Sequence, residues 1–356
     1  MSLDELRSRI DNIDQNILSL LNDRANASIE IGKIKQSSNA AFYVPEREHA
    51  IFEKLRSLNA GPLPDAALKS IYREVLSSIR ALEKPTTVAF LGPRYTFSEL
   101  AALRIFGATA ELHPVATLSD VFTEVERGRL DYGIVPVESS MGGGVTDTLD
   151  RFLTSDLNII KEVLLHVTQH LLSKSPIDKI TKVYSKDQGI GQCRSWLNAN
   201  LPLAERINAS STGEAARIAS VEDGAAAIAS VLAAEPYGLN VVAERIEDAP
   251  HNFTRFFIIG RQKAKPTGND KTSLMISIRN RPGALKGLIL PFADSNLDLT
   301  RIESRPSRKK AWDYMFFIDF IGHVDDAPVQ KVLEQVADYC VELKVLGSYA
   351  QGDVES

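Results

Sequence analysis

The sequence predicts three successive domains of different fold class: an all-α domain over residues 1–84, an α/β domain over 86–262 and an α+β domain over 272–350. Apolar residues recur at helical spacing through the first segment, whereas short apolar runs ending in glycine, proline or polar residues mark the second. The third alternates strand, helix, strand, strand, helix, strand. A chain of 356 residues fits this division, because single cores stop growing near roughly 250–300 residues.

The first domain is predicted to consist of three helices. A stripe of apolar residues with steps of three and four runs along a long first helix and comprises Leu3, Leu6, Ile10, Ile13, Ile17 and Leu20. Val44-Pro45 interrupts the pattern, and Pro45 suits the first turn of a second helix that runs to about Asn59. A third helix follows Gly61-Pro62-Leu63-Pro64. Because three helices enclose only a narrow core, we expect a partner subunit to complete it.

The second domain shows the pattern of an α/β fold, with helical segments between short apolar strands. The predicted strands are Val88–Leu91, Tyr132–Val137, Val183–Ser185, Ala225–Ile228 and Phe256–Ile259. The polar stretch from Arg261 to Lys271 is predicted to be a linker. After it, the order of elements predicts a ferredoxin-like βαββαβ unit. Its expected elements are Leu274–Ile278, Gly283–Asp294, Leu297–Ser304, Tyr314–Phe320, Pro328–Val336 and Val341–Gly347.

The composition and net charge limit the classes of protein to which this chain can belong. A formal net charge of -5 argues against a nucleic-acid or anionic-membrane surface, although a local basic site for a small anion stays open. Cys193 and Cys340 lie far apart and form no disulfide or metal pattern, which favours a reducing compartment. The six histidines are scattered, and we expect neither metal nor cofactor. The amino terminus lacks a signal peptide and no run approaches a membrane span, so a cytoplasmic location is expected.

Three cations stand out on the predicted first helix. Arg24 and Lys35 fall within about 20° of each other around the axis, whereas Arg7 lies about 100° away and about 25 Å along it. Arg7 therefore cannot easily share a pocket with the other two within one subunit. A small dianion bound with help from a second chain would use all three. By spacing alone, an ordinary solvated charged face is the simpler interpretation.

Five segments make this helical part resemble the all-helical chorismate mutase domain over its whole length: Leu6-Arg7, Asp14, Leu20 to Arg24, Ile31 to Lys35 and Pro45-Glu46-Arg47-Glu48. The resemblance implies rearrangement of chorismate to prephenate in an intertwined dimer. It also implies the site residues: Arg7 from the partner subunit, Arg24 and Arg47 for the carboxylates, Lys35 and Glu83 at the ether oxygen, and Glu48 at the hydroxyl. Val44 departs from the family's usual aspartate, and Ile79 from a frequent serine.

Four polar or glycine-rich segments mark the second domain, and each is weak by itself. They are Gly92 to Ser98, Gly133 to Val145, Ser185 to Cys193 and Asn252 to Phe256. The first follows a strand, where α/β sheets bind ligands, but a helix cap by Thr96 or Ser98 explains it equally well. For Thr254 alone, a structural role on an edge strand is the simpler interpretation.

In their order and spacing, the four segments together resemble prephenate dehydratase. The resemblance implies two α/β lobes, like those of a periplasmic binding protein, with prephenate in the cleft between them. Thr254 would protonate the leaving hydroxyl, and the other substrate contacts would be Thr96, Ser98, Glu138, Ser139, Gln188, Gln192 and Arg255. Tyr95 stands where the family usually has glycine, Ser139 where it has asparagine, and Gly142 where glutamate is common.

The last domain resembles an ACT regulatory domain of the phenylalanine-binding kind. The resemblance is carried by Gly283-Ala284-Leu285, by Glu303-Ser304-Arg305-Pro306 and by Trp312-Asp313-Tyr314. It implies that both of the first two motifs bind phenylalanine, the second at a dimer interface. The first segment is also compatible with a plain helix start and the second with a charged turn. Phenylalanine is then expected to inhibit by shifting a two-state equilibrium of the assembled dimer.

The three resemblances together indicate a homodimeric enzyme with both activities in phenylalanine biosynthesis, inhibited by its end product. Two other interpretations stay open. A catalytically weakened paralogue would mainly bind aromatic ligands and regulate a partner, and an altered chemistry would decarboxylate prephenate without dehydration, against which the presence of Thr254 argues. Pairing of dimers into a tetramer, acceptance of arogenate and transfer of prephenate between sites also stay open.

The role implied for Glu83 generates a pH prediction. A carboxyl group can donate a hydrogen bond to an ether oxygen only when it is protonated. We therefore expect mutase turnover of chorismate to rise toward acid pH. A pH profile of kcat that is flat between about 5 and 8 would argue against this role for Glu83.

Overall fold

A computed structural model describes residues 1–38, 41–278, 281–306, 314–352 and 354–355. The chain packs as two compact units, one of Met1–Thr87 with Ile105–Glu111 and the other of Val88–Arg104 with Leu112–Ser356. The second unit therefore contains both the α/β part and the βαββαβ part, which the sequence pattern predicts as separate domains. Among the residues described, no helix is long and apolar enough to cross a membrane.

The first unit contains the three predicted helices, α1 (Leu3–Ser38), α2 (Pro45–Leu58) and α3 (Asp65–Glu83). Gly32 is the buried residue of α1, and a Cβ atom there would lie 3.1 Å from Cβ of Glu83, so the glycine lets α1 approach α3 closely. The predicted apolar stripe of α1, from Leu3 to Leu20, is 42–67% exposed. One chain thus leaves this stripe uncovered.

The remaining elements follow in chain order. They are β1 (Thr87–Leu91), α4 (Phe97–Phe106), β2 (Glu111–Val115), α5 (Leu118–Glu126), β3 (Tyr132–Ser139), β4 (Gly143–Gly144), α6 (Thr146–Phe152), β5 (Asn158–His166), β6 (His170–Ser173), β7 (Lys182–Ser185), α7 (Asp187–Gln192), α8 (Arg194–Asn200), β8 (Glu205–Asn208), α9 (Thr212–Ala219), β9 (Ala225–Ala229), β10 (Asn240–Ala243), β11 (Phe253–Gly260), β12 (Asp270–Ile278), α10 (Ala284–Asp294), β13 (Leu299–Pro306), β14 (Tyr314–Ile321), α11 (Ala327–Ala337), β15 (Cys340–Ala350) and β16 (Val354–Glu355). Short 3₁₀ helices occupy Ile177–Lys179 and Val231–Ala233.

The α/β part has two lobes, each built on its own sheet. The first sheet has the strand order β16-β5-β11-β3-β1-β2 with β4 paired to β3, and the second has the order β10-β6-β9-β7-β8. All five predicted strands are present. The sequence pattern did not predict β2, β4, β5, β6, β8 and β10, because these strands are short or carry charged residues that hide the apolar pattern.

The βαββαβ unit is present as predicted, with its antiparallel sheet in the order β13-β14-β12-β15. Its first strand begins at Asp270, inside the stretch predicted to be a linker, where Asp270 pairs with Ala350 of β15. One face of the sheet packs against α10 and α11. The other face joins the core of the first lobe through Met275, Phe317 and Tyr349.

Candidate functional sites

The helical unit contains a cavity of about 430 Å³. Its lining comprises Arg24, Ser28, Ile31, Lys35, Phe42, Val44, Arg47, Glu48, Ile51, Leu76, Ile79, Arg80 and Glu83. Five of the six residues predicted for chorismate are in this lining, and Arg7 is not. Instead, Arg7 is an exposed residue whose guanidinium lies 3.6 Å from Asp4.

Two ion pairs organise this cavity. Lys35 Nζ lies 3.1 Å from Glu83 Oε2 and donates to the carbonyl of Phe42 at 3.2 Å, while Arg80 pairs with Glu48. The described lining holds four cations and two carboxylates, a formal net charge of +2 that suits a dianion. Arg80 was missed by the sequence analysis, although its position one turn before Glu83 on α3 was a usable signal.

Both departures noted for this part line the cavity. Val44 and Ile79 contribute apolar surface where the resemblance leads us to expect polar substrate contacts. The polar contacts that remain are the guanidinium groups, Lys35, Ser28 and the two carboxylates. Charge therefore dominates over neutral hydrogen bonding in this pocket.

A second cavity, of about 370 Å³, lies in the cleft between the two α/β lobes. It is lined by six of the predicted prephenate contacts, Thr96, Ser98, Ser139, Gln188, Gln192 and Thr254. Thr254 on β11 lies directly opposite Ser139 on β3, and Gln192 ends α7 in the other lobe. The cleft thus presents hydroxyl and amide groups from both lobes to one volume.

Arg255 and Glu138 differ from expectation, because they lie outside the described cleft lining. Successive side chains of a strand point to opposite faces, so Thr254 and Ser139 face the cleft while Arg255 and Glu138 face away. Arg255 is buried, donating to Glu162 Oε2 at 2.7 Å and to the hydroxyl of Tyr349 at 3.1 Å, and pairing with Asp319. Arg255 therefore contacts the βαββαβ unit and does not line the cleft as described.

Electrostatics favour the charged form of this buried guanidinium. Burial acts to lower the pKa of Arg255, but Tyr349, Asp319 and Glu162 outweigh it, so the pKa of Arg255 is raised. Burial raises the pKa of Tyr349 well above its ordinary value, which keeps its hydroxyl protonated. Glu162 also pairs with Lys271 at 2.7 Å, so anions and cations alternate through the cluster.

Tyr95 has a conformational explanation. Its φ of 64° lies in the left-handed region, which glycine adopts without steric cost and which explains why a glycine is usual at this position. The ring stacks edge-on against Tyr237, with 5.3 Å between ring centroids, and packs on the core of the second lobe. This packing offsets a local strain on the order of 1 kcal/mol.

Three further cleft residues were missed by the sequence analysis. Gln169 donates from Nε2 to Gln192 Oε1 at 3.0 Å, which leaves the amide group of Gln192 free to donate into the cleft. Lys186 is the one cation in the described lining. Asn252 lies two residues before Thr254, a spacing that places both on one face of an extended chain and could have revealed it.

Cys193 follows Gln192 directly but is not a candidate nucleophile. Its side chain is buried, and burial raises the pKa of the thiol to about 12. The reactive thiolate is therefore scarce near neutral pH. Cys193 packs in the core of the second lobe with Leu197 and Ile228.

A third cavity, of about 230 Å³, lies at the start of α10. It is lined by the predicted motif Gly283-Ala284-Leu285 together with Ile278, Arg281, Lys286, Tyr314 and Phe316. Gly283 has a φ of 80°, and the N–H groups of the first helical turn have no partners within the helix. This end of α10 can receive a carboxylate.

The second predicted effector motif is divided between two faces of β13. Arg301, Glu303 and Arg305 face the first lobe, whereas Ser304 and Pro306 are exposed. Arg301 pairs with Glu138 at 3.4 Å, and Arg305 contacts Asp150 at 3.4 Å and Thr146 at 2.8 Å. All four predicted residues, Glu303 to Pro306, lie outside the described lining of the third cavity. Trp312 and Asp313 lie outside the described residues.

Three family matches follow one another along the sequence. Chorismate mutase type II matches residues 6–84, prephenate dehydratase matches 88–264 and the ACT domain matches 272–338. Two proteins named bifunctional chorismate mutase/prephenate dehydratase, from Aquifex aeolicus and Stutzerimonas stutzeri, are 48% and 47% identical to this chain. Each alignment covers 98% of this chain and 97% of the relative. The chain belongs to the bifunctional chorismate mutase/prephenate dehydratase family.

A solved structure agrees for the second unit. A prephenate dehydratase from Arthrobacter aurescens in complex with L-Phe is 35% identical and superposes with a TM-score of 0.71. That comparison covers 75% of this chain and 90% of the other. The helical cavity therefore lies in the chorismate mutase domain, the interlobe cleft in the dehydratase domain and the third cavity in the ACT domain.

The Arg255 cluster generates a stability prediction. Replacing Asp319→Asn keeps the shape but removes one of the two buried anions that compensate the buried guanidinium of Arg255. We expect a loss of about 3–5 kcal/mol in the free energy of unfolding, which urea titration of the whole chain can measure.

The matched control is Glu214→Gln, which removes the carboxylate of the surface pair between half-buried Glu214 and exposed Arg217, 2.7 Å apart. Exposed ion pairs contribute little, so this variant should unfold at nearly the wild-type denaturant concentration. Equal, small effects of both substitutions would contradict the structural importance of the buried cluster.

Proposed function

We propose that this chain, as a cytoplasmic homodimer, converts chorismate to prephenate in the helical cavity and prephenate to phenylpyruvate in the interlobe cleft, with inhibition by phenylalanine. The observation that carries the proposal is the charge contrast between the cavities. The mutase cavity has a formal net charge of +2, whereas Lys186 and Asp147 balance in a cleft otherwise lined by uncharged residues. The two reactions require this contrast.

The mutase step needs binding rather than a nucleophile. A pericyclic rearrangement is accelerated by holding both carboxylates in a compact conformer and by stabilising charge on the ether oxygen. Arg24 and Arg47 would hold carboxylates, and Lys35 would donate to the ether oxygen beside Glu83. Arg80 holds the carboxylate of Glu48, which would accept a hydrogen bond from the substrate hydroxyl.

The dehydratase step breaks two bonds and forms an aromatic ring. The bond from the ring to its carboxylate breaks, CO2 leaves and the electron pair of the bond enters the ring. The hydroxyl at the opposite carbon leaves as water with a proton from Thr254, which regains a proton from solvent. The neutral donors around Thr254 bind the departing carboxylate without a counter-charge that would stabilise the substrate. Lys186 would pair with the pyruvyl carboxylate, which the product keeps.

Phenylalanine would bind at the start of α10. The related dehydratase from Arthrobacter aurescens was solved with L-Phe, and here Gly283 and Arg281 line a cavity suited to an amino acid carboxylate. The exposed face of β13, with Ser304 and Pro306, would complete the site from a second subunit. The opposite face of β13 contacts Glu138 and Asp150, so effector binding has a direct path to the first lobe.

The dimer would form along α1. Its exposed apolar stripe extends over the first five turns, and Arg7, distant from the cavity in its own chain, would reach the cavity of the partner. A stripe of this length would bury several large aliphatic side chains, each worth about 1.5–3 kcal/mol when fully covered.

Purified protein given chorismate tests the two activities separately. We expect prephenate and then phenylpyruvate to form, with phenylalanine suppressing the second product. Thr254→Ala should lower the rate of phenylpyruvate formation by at least about 100-fold, because a positioned proton donor contributes about 10²–10⁴ in rate. Prephenate should still accumulate. Thr254→Ser, which keeps the hydroxyl, is the matched control and should retain measurable activity.

The outcomes also separate the alternatives. Phenylalanine binding without turnover of either substrate would select the weakened paralogue. Loss of prephenate without phenylpyruvate would select the altered chemistry.

Hybrid dimers test the shared mutase site. Arg7→Ala and Arg47→Ala chains should each be inactive in mutase, but a mixture refolded or co-expressed together should recover activity. One hybrid cavity then receives an intact Arg47 from its own chain and an intact Arg7 from the other.

The control mixture combines Arg24→Ala with Arg47→Ala. Both residues belong to the same cavity, so every site stays defective and no activity should return. Recovery in the control, or none in the Arg7 mixture, would rule out the exchange of Arg7 between subunits without affecting the assignment of mutase activity.

A further inference from the structure

One polar side chain in the dehydratase cleft is both buried and unsatisfied. Asn252 is 1% exposed and lines the cleft. Within the described residues, neither Oδ1 nor Nδ2 of its amide has a hydrogen-bond partner. Leaving such a group unpaired costs about 1–3 kcal/mol, so its presence in a cleft wall requires an explanation.

The backbone around Asn252 is firmly held. Its carbonyl accepts from the N–H of Val167 at 2.8 Å. The neighbouring Ser140 hydroxyl accepts from the N–H of Phe253 at 2.9 Å and donates to the carbonyl of His251 at 3.3 Å. The backbone that carries the amide is thus held in position, while the hydrogen-bonding capacity of the amide is unused. That combination is typical of a preorganised binding group.

The spacing along the chain gives the amide a place relative to the chemistry. Asn252, Thr254 and Phe256 all line the cleft, as alternate residues of an extended segment do. Two residues of extended chain span about 6.6 Å, which matches the separation of substituents at opposite carbons of a six-membered ring. With Thr254 at the leaving hydroxyl, Asn252 would lie near the departing carboxylate on the opposite carbon.

We propose that Asn252 binds prephenate directly, with Nδ2 donating to an oxygen of the ring carboxylate that leaves as CO2. The inference rests on the proposed dehydratase function. An amide is suited to this position because it orients the carboxylate without a positive charge. A cation would hold the carboxylate too strongly in the ground state.

The test compares Asn252→Leu, Asn252→Asp and wild type in prephenate turnover, thermal unfolding and mutase turnover of the same chain. Leucine has a similar size and removes the unpaired amide, so the melting temperature should stay equal or rise. Dehydratase kcat/KM should fall by about 10- to 1000-fold, because a positioned donor is lost. Mutase turnover should not change.

The aspartate variant separates a binding role from a structural one. An ionised carboxylate repels the substrate, whereas a protonated one donates a hydrogen bond. The ratio of Asn252→Asp to wild-type kcat/KM should therefore rise as pH falls. A ratio independent of pH, or an Asn252→Leu enzyme within twofold of wild type, would overturn the proposal.

Two further measurements separate the loss of a substrate contact from a structural effect. Exposed Asn200 on α8, replaced by leucine, is the matched control and should change neither stability nor turnover. Calorimetry in a Thr254→Ala background, where prephenate is not consumed, should show at least tenfold weaker binding when Asn252→Leu is added. Equal binding there, or a joint loss of stability and activity in Asn252→Leu, would also overturn it. Absence of prephenate turnover in the wild type would instead refute the dehydratase function.

Discussion

The buried guanidinium of Arg255 is the constraint on which the second unit depends. It lies where β11 of the dehydratase domain meets β14 and β15 of the ACT domain, and it contacts Glu162, Asp319 and Tyr349. An unpaired charge in this position would be strongly unfavourable, so the two sheets must keep the register that supplies both carboxylates. The same strand presents Thr254 to the cleft. The strand that carries the proposed proton donor is therefore also the strand that contacts the regulatory domain.

The two proposed active sites handle similar dianions with different electrostatics. In the mutase cavity, four cations outnumber two carboxylates, because the rearrangement keeps both substrate charges and gains from holding them. In the cleft, hydroxyl and amide groups predominate, because one carboxylate must leave. Gln169 orients Gln192, and the unsatisfied amide of Asn252 completes this neutral set. The departures at Val44 and Ile79 leave the cationic part of the mutase cavity intact.

The ACT domain contacts the dehydratase domain through two layers of interaction. Met275, Phe317 and Tyr349 share a buried core with the first lobe, while Arg301 and Arg305 of β13 pair with Glu138 and Asp150 at its surface. Glu303 lies so close to Gly144 that a side chain at that glycine would collide with its carboxylate. Strand β13 is at the edge of its sheet, so its outer residues stay available to another subunit.

The sequence by itself determined the fold class, the order of the domains and part of the lining of each cavity. These properties depend on residues that are close together in the sequence. Helical spacing predicts α1, apolar runs predict the central strands, and a short segment such as Gly283-Ala284-Leu285 can be recognised before its tertiary contacts are known. The tertiary structure decided which neighbouring side chains face a site. Motif resemblance assigned Arg255 and Glu138 to substrate, but strand alternation turns them toward the ACT domain. The tertiary structure also decided that the Asn252 amide is unsatisfied and that Arg80 pairs with Glu48, because hydrogen-bond satisfaction depends on contacts between residues distant in sequence.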